Sequence, residues 1–212
     1  MPSDTLRYRT VSQAGFDGVG GAETFSVSLA ERFRILGADV DFVFIGDPSP
    51  LADRLLRAGI RHHSLGLARG RDVLRQPRRY ASEVRRHGPD GALLVERGFM
   101  GAALRMGGYR PPIVAVEHGP LLFEGRDFTG FGRLARRANR LSGARTVDAE
   151  VAVSEFMLAE MRRHSHARLT RRIYNGVDPE RLRPAEDAPA RAGTELVVGF
   201  VGRLIPGKGS TT

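Results

Sequence analysis

Apolar residues in this chain fall into two alternating patterns. Short valine- and leucine-rich runs, bounded by glycine, proline or charged residues, read as buried strands at 6–11, 40–45, 91–96, 113–117 and 147–153. A weaker run at 60–65 and a short one at 172–174 are further strands. Between them the apolar positions recur every three or four residues, which predicts helices at 22–36, 50–58, 72–87, 99–106, 130–141 and 155–164. In the first helix Phe25, Leu29, Phe33 and Leu36 share one face. Gly37 and Gly59 end the first two helices, and Ser154 is placed to cap the last. The helix at 72–87 is expected to run through Pro77, near its start.

Alternating strands and helices predict an α/β fold: a Rossmann-like, mainly parallel sheet flanked by helices, spanning 1–177. Residues 178–194, rich in Pro, Ala, Glu and Arg, read as an interdomain linker. Residues 195–212 hold one more buried-strand run at 196–201, followed by Gly202-Arg203. A strand and a loop with no helix after them cannot form a domain, so 195–212 is expected to be the truncated start of a second one.

Composition narrows the class. The 212 residues carry 33 Lys and Arg against 24 Asp and Glu, a net charge of +9, and arginine dominates the surplus. Arginines cluster at 69–86, 133–140 and 162–172. Such a field attracts phosphates on nucleotides, nucleic acid or anionic membranes; an ordinary solvated basic surface explains each cluster equally well. The absence of cysteine excludes a disulfide framework, thiolate metal sites and a cysteine nucleophile. No run approaches the ~18 apolar residues of a membrane span. The opening Met-Pro-Ser-Asp-Thr lacks the basic and apolar regions of a secretory leader, so a cytoplasmic protein is expected.

Four loops carry candidate chemistry. Gly18-Val-Gly20-Gly21-Ala22-Glu23 lies between the first strand and the first helix. Glycines there let a ligand approach backbone N–H groups at a positive helix end, although Glu23 stands where the dinucleotide fingerprint requires its third glycine. Glu117-His118-Gly119-Pro120 closes the fifth strand and places His118 at its carboxyl end, where open α/β sheets bind ligands. His118 either contacts a sugar hydroxyl or organises a transition state, or it satisfies loop backbone. Tyr174-Asn175-Gly176-Val177-Asp178 is a strong turn signal. Gly202-Arg203-Leu204 with Lys208-Gly209 sets two cations on the loop after the last strand; Lys208 is followed by glycine rather than Ser or Thr, so this is no P-loop.

Taken in order, these phrases resemble the family 4 glycosyltransferases of the GT-B fold, which are retaining and use nucleotide-sugars. The matching stretches are Gly20-Gly21-Ala22-Glu23-Thr24, Val116-Glu117-His118-Gly119, Val151-Ala152-Val153-Ser154-Glu155, Tyr174-Asn175-Gly176-Val177-Asp178-Pro179, and Gly202-Arg203-Leu204 with Lys208-Gly209. The resemblance implies two Rossmann-like domains facing a cleft, this chain supplying the N-terminal, acceptor-side one. It implies a nucleotide-sugar donor and an acceptor that is a lipid, glycan or small molecule, with no cofactor and no metal. His118 would sit beside the transferred sugar as the catalytic residue. Gly20, Gly21 and Glu23 would approach the donor phosphates or the acceptor, and Arg203 and Lys208 would grip the donor diphosphate. With most of the donor domain missing, the polypeptide is expected to be inactive alone. Basic helices such as 72–87 suit peripheral contact with the anionic cytoplasmic face of a membrane when the acceptor is a lipid.

Two other classes compete. A nicotinamide-dependent oxidoreductase is disfavoured by the missing third glycine and by the lack of an acidic residue closing the second strand, since Asp47 is followed at once by Pro48. A non-catalytic basic module binding nucleotides or nucleic acid has the charge; its aromatics, however, fall on apolar faces rather than between the arginines, so no nucleic-acid partner is expected. No metal is expected either. Asp39-Val-Asp41 enters the second strand with both carboxylates read as solvent-facing, and His62-His63 and His164-Ser-His166 lack a third ligand at a sensible spacing.

Overall fold

A computed structural model of the chain describes residues 9–12, 20–47, 50–67, 70–95, 99–119, 145–177 and 179. The chain divides into two compact units: 1–123 with 128–175, and 124–127 with 176–212. The expected helix at 130–141, nearly all of the linker and the whole of 195–212 lie outside the described residues.

The first unit is a seven-stranded sheet, among the described residues, in which every neighbouring pair is parallel. Its strands are β1 (Arg9–Ser12), β2 (Asp41–Phe44), β3 (Arg61–Ser64), β4 (Ala92–Val95), β5 (Ile113–Glu117), β6 (Ala149–Ala152) and β7 (Leu169–Arg172), in the order 3-2-1-4-5-6-7. The helices are α1 (Gly21–Ile35), α2 (Leu51–Arg57), α3 (Pro77–His87), α4 (Met100–Met106) and α5 (Glu155–His164). Strand order reverses between β1 and β4. The crevice at such a switch point opens at the carboxyl ends of the strands, which include the end of β5 next to β4.

Burial follows strand position. β2 and β4 are buried throughout, whereas the edge strands β3 and β7 expose their Arg and Ser side chains, which blunts both sheet edges. The period of two sends Val43 to one face of the sheet and Phe42 and Phe44 to the other. On the Val43 face Leu94 and Ala115 pack under Tyr80, Ala81 and Val84 of α3 and Met100, Ala103 and Leu104 of α4. On the Phe42 face Val27 and Ala30 of α1 meet Leu51 and Leu55 of α2. Met157, Leu158 and Met161 of α5 cover Ala152 of β6, and the Ser154 hydroxyl accepts from the Met157 N–H at 3.2 Å, the cap expected from sequence.

Three sequence expectations shift. The buried stripe of α1 is Ser26, Val27 and Ala30; Phe25, Leu29 and Phe33 flank it and Leu36 is exposed. Small residues let the helix lie close to the sheet, and the Ser26 hydroxyl is satisfied by donating to the Ala22 carbonyl at 2.8 Å. Pro77 does not sit inside a helix. It opens α3, where its missing N–H costs nothing, and Gly70–Leu74 forms a separate 3-10 turn. The last strand lies at Leu169–Arg172 rather than 172–174 because it registers against β6, with Ala149 opposite Leu169 and Ala152 opposite Arg172.

α3 and α4 pack at glycine. A Cβ on Gly107 would collide with the Pro77 carbonyl and the Ala81 methyl. Arg105, at the end of α4, donates to the carbonyls of Thr146 (3.1 Å), Tyr109 (3.0 Å) and Pro111 (3.0 Å) and to Asp148 Oδ2 (2.6 Å). The same Asp148 oxygen accepts from the Ile113 N–H at 2.8 Å, so one side chain ties the starts of β5 and β6 to α4.

Candidate functional site

β5 ends at Glu117, which is buried, and His118 follows directly, half-buried at the carboxyl edge of the sheet. Across from it stands the beginning of α1. Gly20 is the N-cap, in extended conformation and without a side chain to cap the helix; its carbonyl accepts from the Thr24 N–H at 3.0 Å. Glu23 lies in the first turn, where a carboxylate complements the helix dipole. Its carboxyl group folds back over Gly20, occupying the space that a Cβ there would need, while the position beside Gly21 is open. A glycine at 20 therefore keeps Glu23 in place, and the first-turn N–H groups of α1 have no intrahelical acceptor.

One turn further along α1, Phe25 meets His118 edge-on, with ring centroids 4.4 Å apart and planes at 67°. Asn175 reaches the same ring from the segment after β7. Burial pulls the imidazole below its ordinary value of 6.5, while the Asn175 side chain and then the Glu23 carboxylate oppose that shift. Neither contact is a well-formed hydrogen bond: both ring nitrogens are buried without a hydrogen-bond partner among the described residues. Such an imidazole is mainly neutral at pH 7, with one N–H to give and one lone pair to receive. Each nitrogen can pair with a separate hydroxyl group, one nitrogen as donor and the other as acceptor.

Of the sequence candidates, Gly20, Gly21, Glu23 and His118 lie at this edge, with Glu23 and His118 close enough to interact electrostatically. Arg203 and Lys208 lie outside the described residues. Phe25 and Asn175 also belong to the site, although helical periodicity places Phe25 only on a shared face of α1 and the Asn-Gly pair marks a turn. Nothing in the spacing of that pair from His118 reveals that they meet.

Residues 19–181 match Glycosyltransferase Family 4. The chain belongs to this family. Among solved structures, this family 4 chain is similar to a glycosyltransferase from Rickettsia africae ESF-5, at 17% identity and a TM-score of 0.57. The alignment covers 84% of the present chain and 47% of that one, so the family 4 chain spans about half of its relative's length. It is also similar to a sucrose-phosphate synthase structure from Thermosynechococcus elongatus, at 16% identity and a TM-score of 0.52, over 82% and 92% of the two chains. At these identities the likeness concerns the fold, a Rossmann-like half of the GT-B type. No curated protein matches the chain. No helix among the described residues is long and apolar enough to cross a membrane.

Proposed function

We propose that the first unit is the acceptor-side half of a retaining glycosyltransferase that moves a sugar from a nucleotide-sugar to a lipid, glycan or small-molecule acceptor. The observation that carries this reading is His118: a partly buried imidazole at the carboxyl edge of the sheet, with both nitrogens unpartnered among the described residues, held by Phe25 against the start of α1. In this reading the His118 N–H donates to a hydroxyl of the transferred sugar and orients it as the bond to the leaving group breaks. The glycine turn at Gly20 and Gly21 leaves room for the acceptor or the donor phosphates beside the N–H groups of α1. Negative charge on the departing diphosphate falls to Arg203 and Lys208, a preorganised electrostatic role. The transfer step uses no metal.

Turnover in this reading requires a second, donor-binding domain. A chimera joining residues 1–177 to the donor domain of a family 4 enzyme of known donor tests the proposal. Release of free nucleotide from that donor is expected, above the rate given by the donor domain alone. A folded chimera that binds the nucleotide-sugar and releases none would count against it.

Peripheral contact with anionic lipid is a further part of the proposal. The outer face of α3 exposes Arg78, Arg79, Arg85 and Arg86. Arg79 and Arg85 also donate to the carbonyls of Leu65 (2.9 Å) and Gly108 (2.6 Å), so Arg78 and Arg86 would carry most of the attraction. Flotation with phosphatidylserine vesicles at low salt, and loss of it in Arg78→Ala/Arg86→Ala, is the expected result; no flotation would remove this part.

A further inference from the structure

Opposite the carboxyl edge, at the amino-terminal end of β2, three side chains converge that the sugar-transfer reading does not use. Asp41 opens β2 and is almost fully buried, which overturns its reading as a solvent-facing carboxylate. The parallel register sets Arg61 opposite Asp41 and His63 opposite Val43, so period two keeps Asp41, Arg61 and His63 on one face. His87, the last residue of α3, comes down onto that face. Arg61 donates to Asp41 Oδ1 through Nε at 2.9 Å and Nη2 at 2.8 Å. The other oxygen, Oδ2, faces both histidines: His87 Nδ1 at 3.1 Å and His63 Nε2 at 3.6 Å. The third ligand absent from the local sequence is therefore supplied by tertiary structure.

His87 is also held from behind, with its Nε2 3.0 Å from Glu83 Oε1, one helical turn earlier. A carboxylate on each ring nitrogen cannot be served by a neutral imidazole, which has a single N–H. If the proton sits toward Glu83, the Nδ1 lone pair and the Asp41 lone pair oppose each other at 3.1 Å. A proton on Nδ1, with Glu83 protonated or His87 charged, relieves the clash, and so does a metal ion held between the two atoms. Backing of a ligand histidine by a carboxylate is how proteins fix the metal-binding tautomer.

We propose that Asp41 Oδ2, His63 Nε2 and His87 Nδ1 bind one divalent transition-metal ion of the zinc type, with Glu83 orienting His87. Tetrahedral zinc with ligands at about 2.0–2.2 Å sets them about 3.3 Å apart. The two separations from Asp41 Oδ2, 3.1 and 3.6 Å, bracket that value, and all three candidate atoms lie within 4.8 Å of one another. Two imidazoles and one carboxylate favour zinc, copper or nickel over magnesium, which takes an octahedral oxygen shell. The His63 and His87 rings are stacked at 3.4 Å and 27°, so their in-plane lone pairs run side by side. Binding requires one ring to turn. His63, with its side chain 32% exposed, has room to do so; His87, at 11%, is fixed between its carboxylates. The site lies at the opposite end of the sheet from His118, so the ion would cross-link β2, β3 and α3 without touching the transferred sugar.

The test uses the untagged 212-residue chain, stripped with chelator, titrated with Zn2+ against a chromophoric competitor and with Co2+ by visible absorption. One ion per chain is expected, with the d–d bands of a low-coordinate Co2+ site. Glu83→Gln should weaken Zn2+ by about 10–100-fold, His63→Ala by more than that, and His62→Ala and His166→Ala should change nothing. His87→Ala risks misfolding, so His63→Ala and Glu83→Gln, checked by circular dichroism, decide the case. Absence of stoichiometric binding, or binding that survives both substitutions, would overturn the proposal and leave a proton on His87 Nδ1 to relieve the clash.

Discussion

Phe25 of α1 stands edge-on to His118 at the end of β5, 4.4 Å between ring centroids. The contact joins a helix that begins at the glycine turn to the strand that delivers the histidine. It both shields one side of the imidazole and positions it. Truncation to Phe25→Ala should admit water to the ring, so the His118 pKa should rise toward 6.5. Because Phe25 is only partly buried, the stability cost should be about 1–2 kcal/mol, below the ~3–5 of a fully buried phenylalanine. An NMR titration of the imidazole together with urea unfolding checks both; an unchanged pKa would mean that Phe25 does not shield the ring.

The His118 shift also has a pH signature. Its folded-state value lies below its ordinary 6.5, so the unfolded chain takes up the proton first as pH falls. The stability tied to the neutral ring is thus fully present above about 6.5. It declines below that and is lost once pH has passed through the folded-state value. His118→Asn should flatten the stability profile in this window relative to the parent chain. An equal slope in both chains would assign the effect to other groups.

Arg105 is partly exposed yet makes four hydrogen bonds that join α4 to the starts of β5 and β6. Arg105→Met keeps much of the side-chain bulk and removes the charge. It should destabilise by about 2–3 kcal/mol, because several acceptors lose one donor together and hydrogen bonds to charged groups are worth ~1.5–3 each before water replaces some of them. Urea denaturation reads this directly, and a cost below ~0.5 kcal/mol would show the network to be replaceable by solvent.

Gly107 has an ordinary negative φ of −78°. Backbone entropy alone would make Gly107→Ala stabilising by about 0.4–1 kcal/mol. Space decides otherwise, since the added methyl meets the backbone carbonyl of Pro77 and the methyl of Ala81. The net effect should be destabilisation of about 1–3 kcal/mol, the usual range for overpacking. A rise in melting temperature would show that α3 and α4 separate easily.

The sheet was legible because its signals are local. Buried runs such as 42–44 and Ala92–Val95 and the glycines that end α1 and α2 announce themselves within a few residues. Helix facing was less so: the repeat of large apolar residues at 25, 29, 33 and 36 drew attention from Ser26 and Ala30, whose small size is what the sheet selects. At the site, His118 was readable from its place after β5, but Phe25 and Asn175 reach it from distant parts of the sequence. The Asp41, His63 and His87 cluster was hidden for the same reason. Two strands in register and the end of a helix assemble it, so no spacing along the chain encodes it.

Turnover of a chain that holds both domains, with and without the His118 imidazole, bears most directly on the sugar-transfer reading. In the chimera of residues 1–177 with a known donor domain, His118→Ala is expected to slow nucleotide release by about 10²-fold or more, with nucleotide-sugar affinity and folding kept. Turnover equal to that of the unsubstituted chimera would contradict the assignment of the β5 edge as the place where the sugar is transferred.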